Sequence, residues 1–272
     1  VPRAAGNSSH YEFVLHRASG SYDKDTVIRL PSVTSIIGSV LSKPLDNWTY
    51  GTTVDNISGL VTTLFDGDEV GTYSPARMAD LIDTLSDADM LREYLKENRL
   101  RPEDVANDAS TRGTREHDML EHLAKAYLES DEVAAEQIAR RTLDRDSSSP
   151  WAKGIAGWWL EEYPRVMESE TVVYSLALGC AGTVDLIRHG SFDQPIVCDL
   201  KTRSAGKGAY RSDFVQVEAY ATMYEEMTGL SVGKAEVLVV REDGTWDVYQ
   251  SPLPRGVFRE VKTVYDTLKG VR

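Results

Sequence analysis

Apolar and polar positions alternate along residues 11–16 (YEFVLH) and again along 26–29 (TVIR), with a Gly/Ser/Asp stretch between them, which predicts a β-hairpin. LPSVTSIIGSVLSKPLDNW follows and predicts a helix capped by Ser32, whose hydroxyl can accept from the orphan amides of the first turn. From about residue 56 to 143 apolar residues recur at helical spacing, as in MADLIDTL, ADMLREYLKENRL and DMLEHLAKAYL, so several short helices are expected. DRDSSSPW interrupts this run, and Pro150 at a first helical position opens a helix along WAKGIAGWWLEEYPRV. Its Trp151, Trp158 and Trp159 are expected against a sheet, because a buried indole contributes much apolar area.

From Glu170 the texture changes. ETVVYSLALG, AGTVDLIRHG and PIVCDLKT are short, rich in Val and Ile and separated by glycine or SFDQ turns, which predicts a three-strand meander. A helix is expected from about 209 to 228, then strands KAEVLVVRE and TWDVYQ around the turn DG, and a closing helix in LPRGVFREVKTVYDTLKG. The order helix, three strands, helix, strand describes an α/β core with a helical N-terminal half. Three segments are expected: residues 1–50 as a hairpin and helix arm, 51–148 as a helical wall or lid, and 149–272 as the core.

Composition narrows the class. Of the 272 residues 41% are hydrophobic and 27% charged, an ordinary globular balance, and no apolar run approaches the roughly 20 residues of a membrane-crossing helix. No membrane partner is expected. The formal net charge of −13 opposes broad adhesion to nucleic acid, since an acidic surface repels phosphates over a Debye length of about 8–10 Å, but it leaves room for a local basic groove. The two cysteines, Cys180 and Cys198, form no CxxC or Cys/His cluster, so they are expected as buried thiols in a reducing, cytoplasmic compartment. No signal peptide is expected.

The candidate chemistry sits in the meander. In PIVCDLKT a strand period of 2 puts Asp199 and Lys201 on one face, with Leu200 on the other. Alone, such a pair reads as a strand-end salt bridge. The preceding strand, however, presents Asp185, and a meander brings it near Asp199 if both sit where their strands part. Two carboxylates that close repel unless a cation lies between them, and hard ions such as Mg²⁺ take oxygen ligands from carboxylates, water and phosphate. Lys201 beside such an ion can hold the attacking water or offset charge on a phosphodiester in its pentacoordinate state. Gln216 and Tyr220, four apart on the next helix, share one face and can orient Lys201, a water or a phosphate.

GTVD, then DLKT, then QVEAY on the following helix resemble the PD-(D/E)xK nuclease superfamily, and most of all its RecB-like exonuclease branch. The resemblance implies a restriction-endonuclease-like core and catalytic roles for Asp185, Asp199, Lys201, Gln216 and Tyr220. It also implies a metal-binding histidine on an earlier helix, for which RGTREHDMLEHL offers His117 after Gly113; His122 lies off the Leu120, Leu123, Tyr127 stripe and is expected in solvent. Glu170, at the start of the first strand, resembles an acid that some members add to the site. Mg²⁺ or Mn²⁺ would then be held by His117, Asp185, Asp199, the Leu200 carbonyl and Glu170. The four cluster cysteines of several RecB-like nucleases are missing, so no iron–sulfur cluster is expected, and no GxxxxGK[ST] motor motif is present.

The partner implied is DNA, single-stranded or with free ends, and the activity a metal-dependent exonuclease in phage or bacterial recombination, repair or DNA degradation, with a recombination protein as a further partner. For a phage enzyme the location is the bacterial host cytoplasm. KTRSAGKGAYR supplies Arg203, Lys207 and Arg211 beside the site, and Arg112 and Arg115 add charge from another wall. Ser32 and Thr34 in PSVT, a segment resembling one of phage and mitochondrial members, suit a phosphate at a helix start, and Trp48 suits a base. A structure-selective endonuclease and a noncatalytic DNA-binding protein on the same fold are the rival readings.

Overall fold

The structure is a computed structural model that describes residues 9–16, 22–41 and 87–270. The MADLIDTL helix and Trp48 lie outside the described residues. The chain divides into two compact units, one of residues 1–42 with 113–272 and the other of residues 43–112. The described part of the smaller unit is helix α2 (Ala88–Glu97), capped by Asp87, and the beginning of α3 (Pro102–Glu129).

The larger unit opens with the expected hairpin, β1 (His10–His16) against β2 (Tyr22–Pro31), and a helix α1 (Val33–Val40). Ser32 caps α1 by accepting from the Ser35 amide at 3.1 Å. The remainder of α3, then α4 (Glu132–Asp144) and α5 (Pro150–Glu162), lead into the sheet. DMLEHLAKAYL is part of a 28-residue helix rather than a short one, because no proline or cap interrupts the chain between Pro102 and Glu129. Helix α5 ends earlier than expected: Pro164 disfavours helical geometry at Tyr163, which takes the left-handed region at φ 44°.

The sheet orders its strands β3 (Val166–Ser175), β4 (Cys180–His189), β5 (Pro195–Arg203), β6 (Lys234–Arg241) and β7 (Trp246–Gln250) as β3-β4-β5-β6-β7. Only β5 and β6 run parallel; α6 (Arg211–Thr228) makes their crossover, and α7 (Val257–Lys269) closes the fold. The mixed α/β class and the order helix, three-strand meander, helix, strand are those expected. Strand β3 starts at Val166, four residues before the expected start, so Glu170 lies inside it rather than at its beginning.

Both faces of the sheet are covered, which is why β6 reads as a continuous apolar run. Val237 and Val239 pack with α1, α6 and α7 (Ile36, Val217, Phe258), while Leu238 and Val240 pack with α3, α4 and α5 (Leu120, Ala139, Trp158). Trp158 and Trp159 are buried on this second face, as their size requires.

Candidate active site

The site forms where β4 and β5 separate. Their ladder runs from His189↔Pro195 to Leu186↔Cys198 and stops, leaving Asp185 and Asp199 as the next residue on each strand. A regular strand would put Val184 and Leu186 on one face, yet Val184 packs with α6 and Leu186 with α5, so the backbone turns over at Asp185. Opposite, Glu170 takes φ 50°, a strained value for a non-glycine residue inside a strand.

The separation leaves the Leu200 amide without a strand partner, and it donates instead to Asp185 Oδ2 at 2.6 Å. The other carboxylate oxygen, Oδ1, faces His117 Nδ1 at 3.0 Å. His117 comes from α3, one turn before the buried Leu120 and Leu123 that anchor that helix to the sheet. Ligand atoms of His117, Glu170 and Asp185 all lie within 4.8 Å of one another.

Asp199 and Lys201 share the α6 face of β5, and Lys201 Nζ approaches Asp199 Oδ2 to 2.7 Å as an ion pair off the hydrogen-bond direction. Gln216 donates from Nε2 to Asp199 Oδ1 at 2.8 Å and lies 2.9 Å from the Tyr220 hydroxyl. Gly182 explains how α6 comes this close: a Cβ there would sit 2.3 Å from Tyr220 Cε1. The motif glycine is legible in GTVD, but its partner is not, because the contact joins residues 38 positions apart.

The electrostatics show a deficit of positive charge. Burial, reinforced by the charge of Asp185, pushes Glu170 up to about 7 against the opposing effect of His117. Burial also raises Asp199 to about 6, although Lys201 opposes it. For His117 burial acts downward, but the charge and hydrogen bond of Asp185 outweigh it and carry the imidazole up to about 9. The same pairing, with Lys201 and the Leu200 amide, outweighs burial at Asp185 and lowers it. Carboxylates held partly protonated by burial and by one another, together with an Asp199 oxygen lacking a well-directed donor, fit a divalent cation. His117, Glu170 and Asp185 would hold it, with Asp199 adjacent; bound there, it would polarise a phosphoryl oxygen and acidify a water.

The basic residues divide. Arg203 is committed internally, paired with Asp213 at the start of α6 and lying 4.5 Å over the Tyr210 ring. Lys207 and Arg211 are exposed, and neither enters an ion pair among the described residues. Arg115 is exposed and pairs with buried Glu116, which also accepts from Ser149 at the start of α5. The Arg112 side chain lies outside the described residues, as does Trp48. Ser32 is buried in its capping role and Thr34 is exposed, while His122 is in solvent, as expected. Cys180 and Cys198 are buried free thiols; burial pushes Cys180 up to about 12 and Cys198 higher. Among the described residues no helix is long and apolar enough to cross a membrane.

Strands that part to present two acids, one followed by a lysine, are the working arrangement of phosphodiester-cleaving enzymes of one class. The PD-(D/E)XK nuclease superfamily model matches residues 91–265, well over half of the chain, and the chain belongs to that superfamily. It is therefore a nuclease by family, with DNA as the substrate the family implies and a divalent metal as its cofactor class. No curated protein matches it. A solved structure titled "Crystal structure of SSO0001" aligns with 16% identity over 56% of this chain and 74% of that one, at a TM-score of 0.30, too low to bear on function.

Proposed function

We propose that the chain is a Mg²⁺- or Mn²⁺-dependent DNA exonuclease that works on single strands or DNA ends in phage or bacterial recombination, repair or DNA degradation. The observation that carries the hydrolytic part is the convergence of His117, Glu170 and Asp185 within 4.8 Å, beside the Asp199–Lys201 pair. The exonuclease part is supported by the order of the motifs, a histidine helix followed by GTVD, DLKT and QVEAY, which resembles the RecB-like branch.

Each side chain then has a task. His117, Glu170 and Asp185 would hold the cation, with the Asp199 carboxylate beside them. Lys201, half-buried and held as an ammonium by Asp199 and Asp185 against the effect of burial, orients the attacking water and offsets charge as it builds on the phosphate. Gln216 fixes the Asp199 carboxylate, and Tyr220 fixes Gln216; burial keeps the Tyr220 phenol far above its usual range and so protonated. Exposed Lys207 and Arg211 meet the DNA backbone.

End-labelled linear and closed circular single-stranded DNA, compared in Mn²⁺, test the reading. The linear strand is expected to be degraded from an end and the circle spared. Efficient cutting of the circle would make the enzyme an endonuclease.

A further inference from the structure

The ladder between β4 and β5 ends at Leu186, so the first half of β4 has no β5 neighbour on that edge. The N-terminal segment occupies this region. Ser32 bridges to Ala181 in parallel, and Phe13 packs on Tyr174 with ring centroids 5.0 Å apart. Two residues further along β4 the Tyr11 hydroxyl lies 2.9 Å from Thr183 Oγ1. Thr183 is two residues before Asp185, and its cross-strand partner Val172 is two residues after Glu170. The hydroxyl pair therefore borders the candidate metal cluster from a segment outside the family match, which begins at residue 91.

Two hydroxyls carry two hydrogens, and their mutual bond uses one. The second has no acceptor among the described residues. Burial, with the charges of Glu170 and Asp185, raises the Tyr11 phenol against the effect of Thr183, so it remains a neutral donor. Such a donor can meet an anionic oxygen arriving at the site without competing with the acids for a cation. The oxygen brought by a DNA strand is that of a phosphate.

We propose that Tyr11, acting together with Thr183, is a substrate-positioning residue that donates a hydrogen bond to a phosphate oxygen of the strand bound at the His117–Glu170–Asp185 site. The proposal rests on the nuclease reading of that site and adds to it a contact from the N-terminal hairpin.

The test uses the full chain with Tyr11→Phe, Thr183→Val and the double variant. Binding of a single-stranded oligonucleotide is measured by fluorescence anisotropy in Ca²⁺, and cleavage kinetics are measured in Mn²⁺. Losing one hydrogen bond to a charged oxygen is expected to raise Kd and KM roughly tenfold in each single variant, with kcat within about twofold. The double variant should be no weaker than the worse single one, because the hydroxyls act as a unit. Mn²⁺ affinity from calorimetry and the melting temperature should match those of the parent. Unchanged oligonucleotide binding in both single variants would overturn the proposal, and so would a parallel loss of Mn²⁺ affinity, which would assign the hydroxyls to the metal site. Binding is read without turnover, so a parent that fails to cleave DNA would break the nuclease reading while the anisotropy still decides the role of Tyr11.

Discussion

Glu170 is the residue whose removal should separate stability from function most clearly. Its carboxyl is raised from an ordinary 4.5 to about 7, first by burial and then by the charge of Asp185. A folded-state value above the unfolded one means that the native chain holds this proton more tightly, so metal-free stability falls as pH rises from about 4.5 and levels off above about 7. The carboxyl is only partly buried, so solvent screens much of this effect, which amounts to on the order of 1 kcal/mol at pH 8 and little at pH 5. Glu170→Gln keeps the shape and the strained φ but abolishes the ionisation. Urea unfolding in EDTA should therefore find the variant more stable than the parent by on the order of 1 kcal/mol at pH 8, with most of that gain lost at pH 5. Mn²⁺ affinity, measured on the same samples, should drop. A variant no more stable than the parent at pH 8, or a gain equal at both pH values, would refute the assignment of Glu170 as a half-buried acid awaiting a cation.

Other consequences can be measured on the same protein. Lys201→Ala removes the ammonium beside the water site and leaves Asp199 buried without its ion-pair partner; cleavage of a labelled oligonucleotide should fall at least about a thousandfold, while stability drops by about 3 kcal/mol or more at neutral pH. Activity within tenfold of the parent would contradict its role. Gly182→Ala forces a methyl group against the Tyr220 ring, 2.3 Å from Cε1, and should cost about 1–3 kcal/mol in thermal or urea unfolding; an unchanged midpoint would show that α6 does not press on β4 there. Mn²⁺ affinity should rise between pH 6 and 9, because His117, at about 9, and Glu170, at about 7, must give up protons to become ligands. Calorimetry in buffers of different ionisation enthalpy should count between about one and two protons released at pH 7, and a count of zero would exclude both residues as ligands.

Much of this arrangement was legible in the chain because it follows from short-range rules. The period of 2 in DLKT does put Asp199 and Lys201 on one face, and the spacing of four in QVEAY does align Gln216 with Tyr220, since both follow from local backbone geometry. The expectation that Asp185 and Asp199 sit where their strands part is met by the end of the ladder at Leu186↔Cys198. Features created by distant packing were harder to read. Glu170 looked like a strand start because the turn at Tyr163 and Pro164, which launches β3 at Val166, has no strong strand signature. The pairing of Arg203 with Asp213, ten residues on at the start of α6, was likewise hidden in the sequence. The Tyr11–Thr183 contact joins residues 172 positions apart, and nothing in YEFVLH distinguishes that tyrosine from any other strand residue.

One divalent cation should be held between α3, β3 and β4. Crystals grown near pH 8 and soaked in Mn²⁺ test it most directly, through an anomalous difference map. A single strong peak is expected within coordination distance of His117, Glu170 and Asp185, and it should disappear in Asp185→Ala. A map with no peak among these three side chains, from a crystal that binds manganese elsewhere, would contradict it.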